Sequence, residues 1–279
     1  MRQNIVPLSL MRNVKKAILG IIAGILIIIS MLYYLQEKLI FLPTKLEDQY
    51  QYSFDEPFEE FFITRPDGAK LNALHFKRED PRGVILYFHG NAGNLERWGN
   101  EVLGLVRRNY DLVIMDYRTY GKSSGKLSEA ALLEDAQAFY DYVSAMYSHD
   151  EITLYGRSLG TAMASYLSSR NSVSTLILET PFYSLVDVAK ERFPILPVDR
   201  LMKYPFKTHQ YLQEANCPII ILQGDEDRVV PISSALKLYR SLEGKQRTFI
   251  KFEGGRHNNL STFDEYQHVM DDLLLSKAN

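Results

Sequence analysis

Ile152-Thr-Leu-Tyr-Gly156-Arg-Ser158-Leu-Gly160-Thr-Ala-Met-Ala164 is the stretch that decides the fold. Strand-forming residues run directly into Gly-x-Ser-x-Gly, and a helix of small residues follows at once. That succession predicts a tight strand-to-helix turn that pushes Ser158 outward, with two glycines admitting a strained backbone and a close helix–strand approach. Ser158 therefore reads as a nucleophile. A second match, Gly121-Lys-Ser123-Ser-Gly125, lies beyond the strand Leu112–Met115 with Arg118-Thr-Tyr120 between them, so Ser123 reads as a turn former.

Working outward, Gly83–Phe88 is a near-continuous apolar run, as a strand buried on both faces requires. Phe58–Thr64 and Lys70–Phe76 read as a hairpin closed by Pro66-Asp67-Gly68. A helix is expected around Leu95–Arg107 and a long amphipathic one from Ser128 to about Met146, where apolar residues recur at helical spacing. Thr175–Glu179, Pro218–Gly224 and Arg247–Phe252 are further strands, and Phe263–Leu275 is a closing helix. Strands alternating with helices predict an α/β fold, a mostly parallel sheet with helices on both faces.

In such sheets chemistry gathers beyond the C-terminal strand ends. Three loops besides that of Ser158 qualify. In His89-Gly90-Asn91-Ala-Gly93-Asn94 the backbone N–H of Asn91, with that of Leu159, is placed to hold the oxyanion of a tetrahedral intermediate, while His89 braces the loop. After the strand ending at Gly224, Asp227 is the carboxylate chosen to orient a histidine, with Asp225 in reserve. His257, in Glu253-Gly-Gly-Arg-His257-Asn258, is the base, because it alone of the six histidines follows a sheet strand and a glycine pair on the C-terminal side of Asp227. Between Phe182 and Leu212 the periodicity breaks around Pro194, Pro197 and Pro205. A small lid is expected there, and Phe193, Tyr204, Phe206 and Tyr211 are available to line an acyl pocket or cover the sheet.

The 279 residues are 46% hydrophobic and carry a net charge of -2, so they suffice for one large core and offer no basic face for nucleic acid. The lone Cys217 excludes an internal disulfide and a cysteine-rich metal site; it reads as a small core hydrophobe. No metal and no cofactor is expected.

Ala17–Leu35 is a run of 19 residues without a charge, about the length that spans a ~30 Å hydrocarbon layer. Arg2, Arg12, Lys15 and Lys16 precede it, which predicts a cytoplasmic N-terminus and a catalytic domain on the far side, in the cell envelope. The apolar core is too long for a signal peptide, and no small-x-small cleavage site follows. Residues 1–16 thus read as a cytoplasmic tail, 17–35 as a transmembrane anchor and 36–279 as the hydrolase domain, with the lid at about 182–212. Gly20-x-x-x-Gly24 has the spacing of close helix pairing, which by itself leaves the oligomeric state open.

With these loops placed, the chain resembles the membrane-anchored α/β-hydrolases of the bud-emergence type, within the serine-aminopeptidase-like clan. The resemblance runs from Tyr34 onward. It rests on Gln36-Glu-Lys-Leu-Ile-Phe-Leu-Pro43, His89-Gly-Asn-Ala-Gly93, Asp116-Tyr-Arg-Thr-Tyr-Gly-Lys-Ser-Ser-Gly125, Gly156-Arg-Ser-Leu-Gly160, Gly224-Asp-Glu-Asp-Arg-Val-Val-Pro231 and Gly255-Arg-His-Asn258. It implies an α/β-hydrolase fold, catalytic roles for Ser158, Asp227 and His257, and Asn91 and Leu159 as oxyanion donors. Thr119 stands where glycine is expected and Glu179-Thr180 where Ser-Pro-type pairs are common; both departures bear on loop shape and pocket lining. The reaction expected is acyl transfer to water at an ester or thioester, with a small or acylated, lipid-like substrate. A peptidase for short peptides and a membrane-tethered scaffold without activity are the alternatives.

Overall fold

The computed structural model describes residues 8–275; residues 1–7, including Arg2 of the expected cytoplasmic tail, lie outside the described residues. Helix α1 (Leu8–Ile40) leads to strand β1 (Leu42–Pro43), and the hairpin β2 (Phe58–Thr64) and β3 (Lys70–Phe76) follows. Next come β4 (Val84–Phe88), β5 (Ala92–Gly93), α2 (Leu95–Glu101), α3 (Leu103–Val106) and β6 (Asp111–Met115). Then α4 (Glu129–Ser144), β7 (Ile152–Arg157), α5 (Gly160–Ser168) and β8 (Thr175–Glu179) lead to three helices, α6 (Leu185–Arg192), α7 (Val198–Leu201) and α8 (Thr208–Glu214). The chain closes through β9 (Ile219–Gly224), α9 (Ile232–Ser241), β10 (Arg247–Phe252) and α10 (Asp264–Leu275).

One sheet runs in the order β10-β9-β8-β7-β4-β6-β3-β2. Its pairings are parallel except β2–β3 and β3–β6. Every residue of β4, β6, β7 and β8 is buried, which is why these strands read as apolar runs and not as alternating ones. Alternation survives in which face each side chain serves. Val84, Leu86 and Phe88 join the core beneath α4 and α5, whereas Ile85 and Tyr87 join the core beneath α2, α3 and α10.

The order turns at β4, where the chain adds β6 on one side and β7 on the other. A crevice opens at such a switch point beyond the strand ends. The loops after β4 and β7 flank it, so Asn91 and Ser158 come together from distant parts of the chain. The expected helix over Leu95–Arg107 is two, α2 and α3, parted at Val102.

Helix α1 extends past both ends of the apolar run. Its Met11–Ile40 portion is long and apolar enough to cross a membrane, and none of the 18-residue apolar window within it is buried. Its last turns dock on the domain, and the short strand behind it pairs in parallel with the loop after β4, Leu42 opposite Ala92. The segment expected only to leave the membrane is therefore annealed to the switch-point loop.

Candidate active site

Ser158 sits between β7 and α5 with φ +52°, the left-handed region that costs an L-residue about 1–2 kcal/mol. Neighbours hold it there: its N–H donates to the Glu179 carbonyl at 2.8 Å, and its carbonyl accepts from Thr161 Oγ1 at 2.6 Å. The glycines on either side are required by contact, not by positive φ. A Cβ on Gly156 would stand 2.6 Å from the Gly160 carbonyl oxygen, and one on Gly160 would stand 2.0 Å from that of Phe88.

The three residues picked from three loops meet. Ser158 Oγ lies 2.9 Å from His257 Nε2, and His257 Nδ1 lies 2.8 Å from Asp227 Oδ2. The Asp227 side chain is fully buried, and Oδ1 accepts from the N–H groups of Val229 and Val230 at 2.8 and 2.9 Å. Gln223 Nε2 adds a bond to Oδ2 at 3.2 Å. An acceptor-only carboxylate at Nδ1 assigns the ring proton to Nδ1, which leaves Nε2 to accept from the serine hydroxyl. Asp225, the reserve, accepts instead from the Gly254 N–H at 2.8 Å and pairs with Lys251, bracing its own loop.

Asn91 and Leu159 line the same cavity as Ser158. Asn91 is pinned from three sides: its carbonyl accepts from the Leu42 N–H at 2.9 Å and the Tyr120 hydroxyl at 2.6 Å, and Nδ2 donates to the Ile40 carbonyl at 3.0 Å. His89 does brace this loop. It is buried, stacks on Trp98, and faces Asp116 at 3.6 Å, where burial pushes the Asp116 carboxyl above its ordinary range although His89 opposes the shift. The second serine motif is structural: Ser123 Oγ donates to the Asp116 carbonyl and accepts from the Asn72 N–H, each at 2.8 Å.

The cavity measures about 300 Å³ and is walled mainly by aliphatic and aromatic side chains from α1, α6 and the loop that follows α6. Among its described lining residues the only charged one is Arg192. Of the four aromatics weighed for an acyl pocket, Phe193 lines it. Tyr204 and Phe206 are in the core, and Tyr211 packs edge-on against Tyr166.

The departures at Thr119 and Glu179-Thr180 act on loop shape, and the expectation that they line the pocket is corrected. Thr119 and Thr180 adopt φ +75° and +50°. Glu179 lies behind the serine turn in a buried ion pair with Arg157 at 3.2 Å, and it accepts from the Tyr155 hydroxyl at 2.6 Å. Burial opposes the Arg157 charge, but Glu179 and Glu101 outweigh it and hold that guanidinium above its ordinary pKa. Sequence reasoning missed Gln223 and Arg157 as supports. Both had one signal: a polar residue in a strand otherwise buried on both faces must find partners there.

The family described as serine aminopeptidase, S33, matches residues 79–203. An α/β-hydrolase domain-containing protein, WAV2, of Arabidopsis thaliana is 30% identical over 264 residues, covering 85% of this chain and 84% of that protein. Protein bem46 of Schizosaccharomyces pombe is 29% identical, covering 91% and 90%. The lysophosphatidylserine lipase ABHD12 of Danio rerio is 26% identical, covering 95% and 83%. Among solved structures, the Pyrococcus furiosus esterase Pf2001 superposes with a TM-score of 0.67 at 17% identity, covering 86% of this chain and 98% of that one, a likeness of fold.

Proposed function

The chain belongs to the membrane-anchored α/β-hydrolases of the bud-emergence type, and we propose that it is a serine hydrolase cleaving ester or thioester bonds of acylated, lipid-like molecules. The observation that carries this reading is the unbroken run of hydrogen bonds from Asp227 through His257 to Ser158, at 2.8 and 2.9 Å, on the floor of an apolar cavity. Ser158 attacks the acyl carbonyl as His257 Nε2 takes its proton. The N–H groups of Asn91 and Leu159 hold the oxyanion, each such donor contributing about 2.7–4 kcal/mol to the transition state. His257 returns the proton to the leaving oxygen or sulfur, and water then repeats the sequence on the acyl-enzyme. Asp227 keeps the imidazole in the required tautomer and stabilises the imidazolium.

The cavity lining speaks for acyl chains over peptides. An aminopeptidase must receive a substrate ammonium, which calls for a carboxylate, and the described lining offers none. The division proposed along the chain is a cytoplasmic tail over 1–16, a single anchor over 17–35, and a hydrolase domain over 36–279 with its lid at about 182–212, on the non-cytoplasmic side. Ser158→Ala in the full chain tests the reaction. Loss of fluorophosphonate labelling and of esterase turnover is expected; retention of both refutes the nucleophile, and absence of turnover in the wild type favours an inactive scaffold.

A further inference from the structure

The last turns of α1 are clamped to the end of α7 and the segment after it. Gln36 Nε2 donates to the Leu201 carbonyl at 3.1 Å, and Gln36 Oε1 accepts from the Lys203 N–H at 2.7 Å. The Tyr204 hydroxyl donates to Glu37 at 2.9 Å, and its ring meets Phe41 edge-on at 4.9 Å. These contacts fix how the α6–α7 region sits relative to α1. The cavity that reaches Ser158 is lined by Leu32 and Leu39 of α1 together with Phe193 and Leu196. Leu32 lies inside the charge-free run, and Leu39 is roughly 10 Å further along the helix. One end of the cavity therefore lies at the depth where the apolar span begins.

The connection between α6 and α7, Phe193-Pro-Ile-Leu-Pro197, contributes Phe193 and Leu196 to the same cavity. Ile195 is 95% exposed and Phe193 is 42% exposed, a poor arrangement for a loop facing water. Its backbone N–H groups are few and mostly settled. Pro194 and Pro197 have no N–H, the Phe193 N–H donates to the Ala189 carbonyl at 2.8 Å, and the Leu196 N–H to the Phe193 carbonyl at 3.1 Å. Among the N–H groups of the loop only that of Ile195, at the tip, is left to settle, and low-dielectric surroundings favour such economy of donors. Around the loop, Lys190, Arg192, Arg200 and Lys203 outnumber Glu191 and Asp199, as befits a ring of lipid phosphates. Lys203 Nζ also stands 4.5 and 5.7 Å over the rings of Tyr33 and Tyr34, two aromatics at the exit of the span.

We infer that Phe193–Pro197 is a second membrane-contact element that dips into the leaflet from which α1 emerges, so that the cavity mouth between this loop and α1 admits acyl chains from the bilayer. The inference rests on the proposed hydrolase reading for what happens to the chain once inside, but the contact with lipid stands apart from it. Ile195 faces outward and does not line the cavity, which makes it the site to perturb.

The full chain, carrying Ile195→Cys in a Cys217→Ala background and labelled with bimane, is to be reconstituted in phosphatidylcholine nanodiscs. Blue-shifted emission, with at least half of it quenched by lipids bearing a doxyl group near the glycerol end of the acyl chain, is expected. Emission like that of the same protein in aqueous detergent-free denaturant, with no quenching, would overturn the contact. In the same nanodiscs Ile195→Glu is expected to lower turnover of an embedded long-chain ester at least fivefold while p-nitrophenyl acetate hydrolysis stays within twofold. Equal effects on both esters, or none on either, would overturn access from the bilayer. If the wild type hydrolyses neither ester, the hydrolase reading fails, and the quenching alone decides the membrane contact.

Discussion

Gly160→Ala separates what local propensity expects from what tertiary contact imposes. In an isolated helix the change favours folding by about 0.5–1 kcal/mol, because alanine loses less backbone freedom than glycine. Here the new Cβ would lie 2.0 Å from the Phe88 oxygen, 2.5 Å from the Phe88 carbonyl carbon and 2.8 Å from the His89 oxygen. All three obstacles are backbone, so no rotamer change relieves them. Restoring ordinary contact near 3.5 Å requires α5 to retreat from the end of β4 by about 1.5 Å. Overpacking of this kind costs roughly 1–3 kcal/mol, which exceeds the propensity gain. It also draws Ser158 away from His257, and a displacement of about 1 Å lowers turnover on the order of 100-fold. The expected result for the full chain in detergent is a melting temperature lower by about 4–8 °C, since ~2 kcal/mol shifts a domain of this size that far. Turnover of p-nitrophenyl butyrate should fall on the order of 100-fold. Gly104→Ala is the control, for its Cβ would meet only Arg108 Nη1 at 3.8 Å; it should melt no lower and keep full activity. A Gly160→Ala protein with wild-type melting and turnover would refute the claim that this close approach positions the serine.

Asp227→Asn should lower turnover by about 10⁴ through the wrong imidazole tautomer, whereas Asp225→Asn should stay within twofold; the reverse ranking in steady-state assays would exchange the two roles. Thr119→Gly removes a β-branched residue from φ +75° together with a buried hydroxyl that has no hydrogen-bond partner, and should raise stability by about 1 kcal/mol in thermal melts. Glu129 bonds the Phe206 N–H and the Tyr211 hydroxyl at 2.9 and 3.3 Å, and burial raises its pKa. A carboxyl whose folded pKa exceeds its unfolded value favours folding most when protonated. Stability relative to Glu129→Gln should therefore fall as pH rises from about 4.3 through the raised value, read as a melting-temperature difference larger at pH ~4 than at pH ~8.

Much of the architecture was legible because the signals were local. Unbroken apolar runs such as Val84–Phe88 exclude a half-solvated strand, the Pro66-Asp67-Gly68 turn marks its hairpin, and glycines bracketing Ser158 mark a crowded turn. The choice of His257 rested on the same logic, since a strand end followed by a glycine pair is a local feature. The choice between Asp227 and Asp225 was harder, because both follow β9 within three residues. Side-chain direction decides it, and that depends on how the β10 loop folds back against Gly224, where a Cβ would meet the Gly255 oxygen at 2.2 Å.

Composition and pattern alone determined the class of fold, the exposed apolar helix and the residue types able to attack, accept a proton and orient a base. Only the tertiary structure decided that Leu42 pairs with the Asn91 loop, that Glu179 supports the serine turn from behind, and that α1 supplies a wall of the cavity. Periodicity records which face of each element is apolar. It does not record which distant face comes to lie against it, and the cavity at the exit of the helix exists only through such contacts.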